Sequence, residues 1–273
     1  MSVGIWTFAF DAQPVGEVVE AAQEIEELGF DSIWFGEYAG REAFTQAGLL
    51  LAATSRLTVA TGIARFGERT PHAAAAAWRT LAEAHPGRFV LGLGGHLPGD
   101  RPLERITEYL DGMDAAELTF PAGSSRRVLA ALGPRMLRLA AERTDGAHPY
   151  FVPPEHTALA REALGPNGYL AVEQTVVLDP DPAEAREKAR EFVRGYVELA
   201  AHHRANLRRL GFTDEDFTEV SDRLVTAIVA HGGEQAVHDR LRAQLDAGAD
   251  HVCVQVLGDG LPRSRWRALA ELV

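Results

Sequence analysis

Four short stretches of this chain hold residues with chemical reach. They are Glu37-Tyr38, Thr61-Gly62-Ile63-Ala64, Gly94-Gly95-His96 and Gly133-Pro134-Arg135. Glu37 and His96 are the candidates for proton work. A carboxylate can serve as a base or bond a ligand N–H, and an imidazole titrates near neutral pH. The structural alternatives are a solvated or helix-capping acid and an exposed loop imidazole. Gly133-Pro134-Arg135 reads as the start of a helix, where free N–H groups and the helix dipole favour an anion and Arg135 adds charge. Its alternative is an ordinary strand-to-helix turn. A glycine-rich mouth with one carboxylate, one histidine and nearby aromatics suits a flat organic cofactor better than a metal.

The elements that must position these residues alternate. Leu57–Ala64 reads as a strand. Thr70 then offers an N-cap hydroxyl and Pro71 the first helical position. Ala73–Ala84 is strongly helix-forming, and His85-Pro86-Gly87 ends it. Phe89–Leu93 is an apolar run of the kind buried on both faces of a parallel sheet. Around this unit, strands are expected at Val3–Phe10, Asp31–Gly36, Arg127–Leu132, Ala147–Val152, Leu170–Leu178 and His251–Leu257. Helices are expected between them, including Ala43–Thr54, Leu103–Ala115, Pro134–Thr144 and one long helix over Pro182–His203. Asp145-Gly146 and Tyr150-Phe151 frame the sixth strand, and the eighth ends near Gln255. Eight strands alternating with helices fit a closed (β/α)8 barrel, with a doubly wound open sheet as the alternative. In either fold, ligands sit at the carboxyl ends of the strands.

Composition narrows the function. The chain has 273 residues and a formal charge of -12, which argues against nucleic acid or an anionic membrane as the main partner. The length fits one barrel domain spanning 1–273. One cysteine, Cys253, excludes an internal disulfide and a thiolate metal cluster, and its apolar strand context suggests a buried core thiol. The ten histidines form no metal-ligand motif. His202-His203 lies on a charged helix, and His231 and His238 share at most a helix face. There is no G-x-S-x-G elbow or P-loop, and Gly92–Gly94 lacks the third glycine of a dinucleotide fingerprint. With neither a signal peptide nor a membrane span apparent, a cytoplasmic protein is the default.

Five segments together resemble the luciferase-like monooxygenase superfamily, in particular its deazaflavin (coenzyme F420)-dependent oxidoreductases. They are AAQEIEELGFDSIWFGE, SRLTVATGIA, RTLAEAHPGRFVLGLGG, LGPRMLRLAAERTDGAHPY and LDAGADHVCVQVL, in that order and spanning nearly the whole chain. The resemblance implies a (β/α)8 barrel whose third strand bulges at its end, here at Gly62-Ile63, often with a non-prolyl cis peptide. That bulge, with Thr61, Ala64 and Gly94, would support the cofactor ring. The phosphate-bearing tail would lie against Gly133-Pro134-Arg135-Met136 and Asp145-Gly146-Ala147. The implied reaction is hydride transfer to or from a small organic substrate, with Glu37 and His96 moving protons. An FMN-dependent monooxygenase and a non-catalytic flavin-binding barrel are the alternatives. Two departures stand out. Tyr38 occupies a place where many relatives carry histidine, and Gly94–Leu103 is short for a cofactor-covering segment. The resemblance also implies a homodimer, with Leu49–Ala53 as a possible surface.

Overall fold

The computed structural model describes residues 1–95, 101–121 and 123–273. Nine strand segments run parallel among them: β1 (Val3–Thr7), β2 (Ser32–Phe35), β3 (Thr58–Thr61), β4 (Ala64–Arg65), β5 (Phe89–Gly94), β6 (Arg126–Leu129), β7 (Gly146–Ala147), β8 (Tyr169–Val176) and β9 (His251–Val256). The pairing order β3-β2-β1-β9-β8-β7-β6-β5-β4 closes on itself through β3 and β5. β3 and β4 are two pieces of one staff, so the wall is an eight-strand (β/α)8 barrel.

Helices α1 (Val15–Glu27), α2 (Ala43–Ala53), α3 (Pro71–Ala84), α4 (Pro102–Asp114), α5 (Pro134–Arg143) and α6 (Pro154–Leu164) connect successive staves up to β8. Several begin with the chemistry the sequence offers. Thr70 Oγ1 accepts the Ala73 N–H at 3.2 Å with Pro71 at the first helical position, as expected. Between β8 and β9 lie five more helices: α7 (Pro182–Leu199), α8 (Ala201–Arg209), α9 (Asp214–Glu219), α10 (Asp222–Ile228) and α11 (Glu234–Asp246). Helix α12 (Arg263–Ala270) follows β9. Thr213 and Asp216 form a reciprocal capping box on α9.

Three expected elements end early. The first strand stops at Thr7, whose hydroxyl accepts the Ala9 N–H at 2.9 Å and starts a 3-10 turn. The sixth strand is only Gly146–Ala147, because Pro149 has no N–H to offer and Phe151 turns left-handed at φ 60°. The long helix breaks at Ala200, and α8 packs Leu207 into a cluster with Phe151, Val193 and Val197. That cluster is an apolar layer formed by α7 to α10 at β8's carboxyl end. Cys253 is fully buried, as expected. No helix among the described residues is long and apolar enough to cross a membrane.

Register sets which residues face the barrel axis. Trp6 aligns with Trp34, Trp34 with Ala60 and Ala60 with Val90, and all four join Val128, Ala171 and Cys253 in one inner cluster. Gln255 aligns with Trp6 and with Thr175. Two residues further along three adjacent staves, the inward positions are Gly36, Gly62 and Gly92.

Candidate functional site

The third staff slips by one residue at the mouth. Ala60 pairs with Val90, an offset of 30, but Ala64 pairs with Leu93, an offset of 29. One residue more is therefore accommodated on this staff than on β5, which is a β-bulge. It falls at Gly62-Ile63, whose peptide bond is cis. Gly62 is buried, and a Cβ there would stand 2.6 Å from Trp6 Nε1 and 2.9 Å from His148 Nε2. Its missing side chain thus makes room for barrel interior groups. Ile63 is the half-buried member of the pair, and its Cδ1 lies 2.6 Å from the place of a Cβ on Gly94.

Glu37 clamps this bulge. Its N–H donates to Ile63 O at 3.0 Å, its Oε2 accepts the Arg65 N–H of β4 at 2.7 Å, and its Oε1 accepts the Ala43 N–H of α2 at 3.1 Å. Arg69 pairs with the same carboxylate and, at 3.0 Å, with Glu42. The Glu37 and Arg69 side chains are 7% and 11% exposed, so this is a nearly buried ion pair. Both carboxylate oxygens are engaged.

Behind Gly62, Trp6 Nε1 donates to His148 Nε2 at 3.2 Å, and His148 Nδ1 bonds Ala171 O at 2.8 Å. A carbonyl only accepts, so the proton sits on Nδ1 and the ring is neutral. Burial holds this imidazole's pKa down to about 4, against the pull of the Ala171 bond. Trp34 stacks on the ring at 4.4 Å. His148 is a fixed support.

The start of α5 has a different character. Gly133 supplies no side-chain cap. Arg209 of α8 lies against it, with Nη2 3.2 Å from the place of a Gly133 Cβ. That guanidinium donates to Asn206 Oδ1 at 3.0 Å. Asn206 is 2% exposed, and its Nδ2 has no hydrogen-bond partner among the described residues. A buried amide donor without a partner carries a desolvation cost that a bound acceptor would remove. His156, in the first turn of α6, donates Nε2–H to Leu132 O at 2.8 Å; burial, then the Arg209 charge, lowers its pKa. The donors here fit an anion such as the phosphate of a flavin-type cofactor.

A polar array occupies another arc of the mouth. Glu173 of β8 is 1% exposed. It accepts the Thr175 hydroxyl at 2.6 Å and the Phe151 N–H at 3.1 Å, while its own N–H donates to Pro149 O at 3.0 Å. Burial pushes its carboxyl up to about 7, those two donors opposing. Phe151 is thereby tied down in its left-handed turn, and Tyr150 projects toward Trp6 with ring centroids 5.0 Å apart. Tyr150 Oη meets Gln255 Oε1 at 2.6 Å and Tyr196 Oη at 2.7 Å.

The expected site residues therefore separate into groups. Gly62, Ile63 and Gly94 gather at the bulge, with Ala64 buried in β4 and Thr61 exchanging two hydrogen bonds with Gly92 through its hydroxyl. Gly133, Pro134, Arg135 and Met136 form the α5 start, but the Arg135 side chain is exposed and Arg209 is the cation at the cap. Gly146 and Ala147 are buried in the wall, level with Val128 and Leu129, and a Cβ on Gly146 would collide with Tyr169 backbone. His96 lies outside the described residues. Arg209, Asn206 and Glu173 are not singled out from sequence, which places Tyr150 and Gln255 at strand ends without joining them. A glutamate inside the apolar run LAVEQTV was the one available signal.

Over residues 1–251 the chain matches the family described as luciferase-like monooxygenase, and it belongs to that family. It is 26% identical, over 78% of either chain, to a Mycobacterium tuberculosis protein assigned by name to the coenzyme F420-dependent oxidoreductases. The fold is shared with an F420-dependent secondary alcohol dehydrogenase solved with an F420-acetone adduct, at TM-score 0.79 and 18% identity over 100% of this chain and 98% of that one. It is shared too with the oxygenating constituent of 3,6-diketocamphane monooxygenase from a plasmid of Pseudomonas putida, solved with FMN, at TM-score 0.73 and 15% identity over 100% and 96%.

Proposed function

We propose that residues 1–273 act as one domain that binds deazaflavin coenzyme F420 at the barrel mouth and transfers a hydride to or from a small organic substrate. The observation that carries this reading is the one-residue bulge at Gly62-Ile63 in a chain of this family. When bound, the coenzyme supplies the hydride chemistry at its C5 carbon. The chain's own residues bind and orient. Ile63 offers an apolar backing, and Gly62 before it packs against Trp6 and His148. The start of α5 with Arg209 and Asn206 takes the phosphate. Glu37 works as a positioning residue, since both its oxygens are committed to the bulge and to α2.

The likeness in fold to an FMN-bound monooxygenase supports FMN as the second reading. Titration of the protein with F420, FMN and riboflavin separates the two. Tight F420 binding with weak FMN binding, together with F420-linked turnover on a panel of alcohols and carbonyl compounds, is the expected result. FMN binding with oxygen uptake would replace it by the monooxygenase reading. Binding without turnover across the panel would leave a cofactor-binding barrel.

A further inference from the structure

The hydrogen-bond order at the mouth leaves one amide group with a free donor. The Tyr150 Oη to Gln255 Oε1 separation is 2.6 Å. That is an O–H···O length and shorter than the usual N–H···O length of about 2.9 Å, so Tyr150 donates and the amide oxygen accepts. The Tyr150 proton being so committed, Tyr196 must donate across the 2.7 Å contact to Tyr150 Oη. Proton direction therefore runs from Tyr196 through Tyr150 to Gln255 Oε1. Tyr150 engages the amide through Oε1, and Gln255 Nε2 has no hydrogen-bond partner among the described residues. Gln255 is only 9% exposed. Its register with Trp6 places it on the inward face of β9, three staves round the wall from the bulged β3.

The amide cannot turn over freely. Tyr150 is fixed by the Glu173 carboxylate, which holds Phe151 N–H, and by the Glu173 N–H, which holds Pro149 O. Turning the amide would require Tyr150 to swing its proton to Tyr196 and Tyr196 to give up its own donation.

We propose that Gln255 Nε2 is an oriented hydrogen-bond donor to a carbonyl oxygen on the pyrimidinedione edge of the bound cofactor. This rests on the reading of the mouth as a deazaflavin or flavin site. Tyr150 and Tyr196 are positioning residues that hold the donor outward.

The test uses Gln255→Glu, which still accepts from Tyr150 but puts a carboxylate oxygen where Nε2 stood, and Gln255→Met, which removes both polar atoms at similar size. F420 and FMN affinities are read by fluorescence titration, with circular dichroism and Tm confirming the fold. We expect Gln255→Glu to weaken F420 binding at least about tenfold, Gln255→Met several-fold, and Tyr150→Phe less than either. A second readout is the ionisation of the F420 chromophore, whose hydroxyl is conjugated to the carbonyl edge. A donor there stabilises the anion, so the bound chromophore in Gln255→Glu should ionise at higher pH than in the parent protein. Wild-type affinity and an unshifted chromophore in both Gln255 variants would overturn this inference alone. Tighter binding by Gln255→Glu would also overturn it, by showing an acceptor at that place. Failure of the parent protein to bind either cofactor would overturn the reading of the site, and this inference with it.

Discussion

Arg209 and Gly133 meet across the mouth of the barrel: the guanidinium Nη2 lies 3.2 Å from where a Cβ on Gly133 would stand. The cation that completes the α5 start thus comes from α8, whereas the neighbouring Arg135 is exposed. Arg209→Met should weaken FMN binding about tenfold or more while changing riboflavin binding little, because only FMN carries the phosphate. Arg135→Ala should change either affinity by less than about threefold. Equal losses for FMN and riboflavin in Arg209→Met would remove the anion role.

Glu173 makes stability depend on pH in an unusual direction. Its carboxyl titrates at about 7 in the folded protein against 4.5 ordinarily. Between these values the folded state holds a proton that the unfolded state has released. The contribution is fully present below about 4.5 and is lost as pH rises through about 7. His148 and His251 act oppositely. Burial holds both at about 4 against 6.5, so stability falls as pH drops below 6.5 toward 4. Two groups outweigh one, and the sum of the three rises up to about pH 6.5 and declines slightly beyond it. Glu173→Gln should abolish the decline above pH 6.5 and steepen the acid side. Urea unfolding between pH 5 and 8 measures this, and an unchanged profile in the variant would refute it.

Gly62→Ala tests the close approach behind the bulge. The new methyl would stand 2.6 Å from Trp6 Nε1 and 2.9 Å from His148 Nε2, nearer than packed atoms allow. We expect a loss of about 1–3 kcal/mol in stability and altered tryptophan fluorescence as the Trp6–His148 hydrogen bond breaks. Cofactor affinity should fall in parallel. A Tm within about 1 °C of the parent would show that the wall yields there at little cost.

Glu37→Gln separates bracing from proton transfer. The amide would set its NH2 against donors that now meet a carboxylate, leaving Arg69 nearly buried without its strongest partner. The expected loss is about 3 kcal/mol or more, and Arg69→Met should lose a comparable amount. The double variant should lose less than the sum, because the two share one interaction. A Glu37→Gln protein of unchanged stability but abolished turnover would restore Glu37 to proton chemistry.

Much of the wall could be read from the chain because its signals are local. The Thr70-Pro71 start of α3 and the Thr213–Asp216 box on α9 need only neighbouring residues. The bulge at Gly62-Ile63 came through resemblance, and the slipped register places it there. What stayed hidden depends on contacts between distant segments. Nothing in ELAAHHRAN marks a break, since alanine favours helix, yet the chain turns at Ala200 so that Leu207 can reach the apolar cluster. That turn brings Arg209 to Gly133. Arg135 was the natural candidate only because it is adjacent in sequence. The left-handed turn at Phe151 similarly depends on a carboxylate from another strand.

The slipped register has a consequence for how this mouth can change over time. It is a dislocation in the wall, an extra half-period on one staff that its neighbours do not share. Defects of that kind are topological. Substitutions can alter which atoms decorate the step, including how Ile63 and Gly94 fit together. Only deleting a residue can annul it, since Ala64 would then face Leu93 at the same offset that joins Ala60 to Val90. The chemistry at the step is therefore free to drift by point mutation, while the step itself persists.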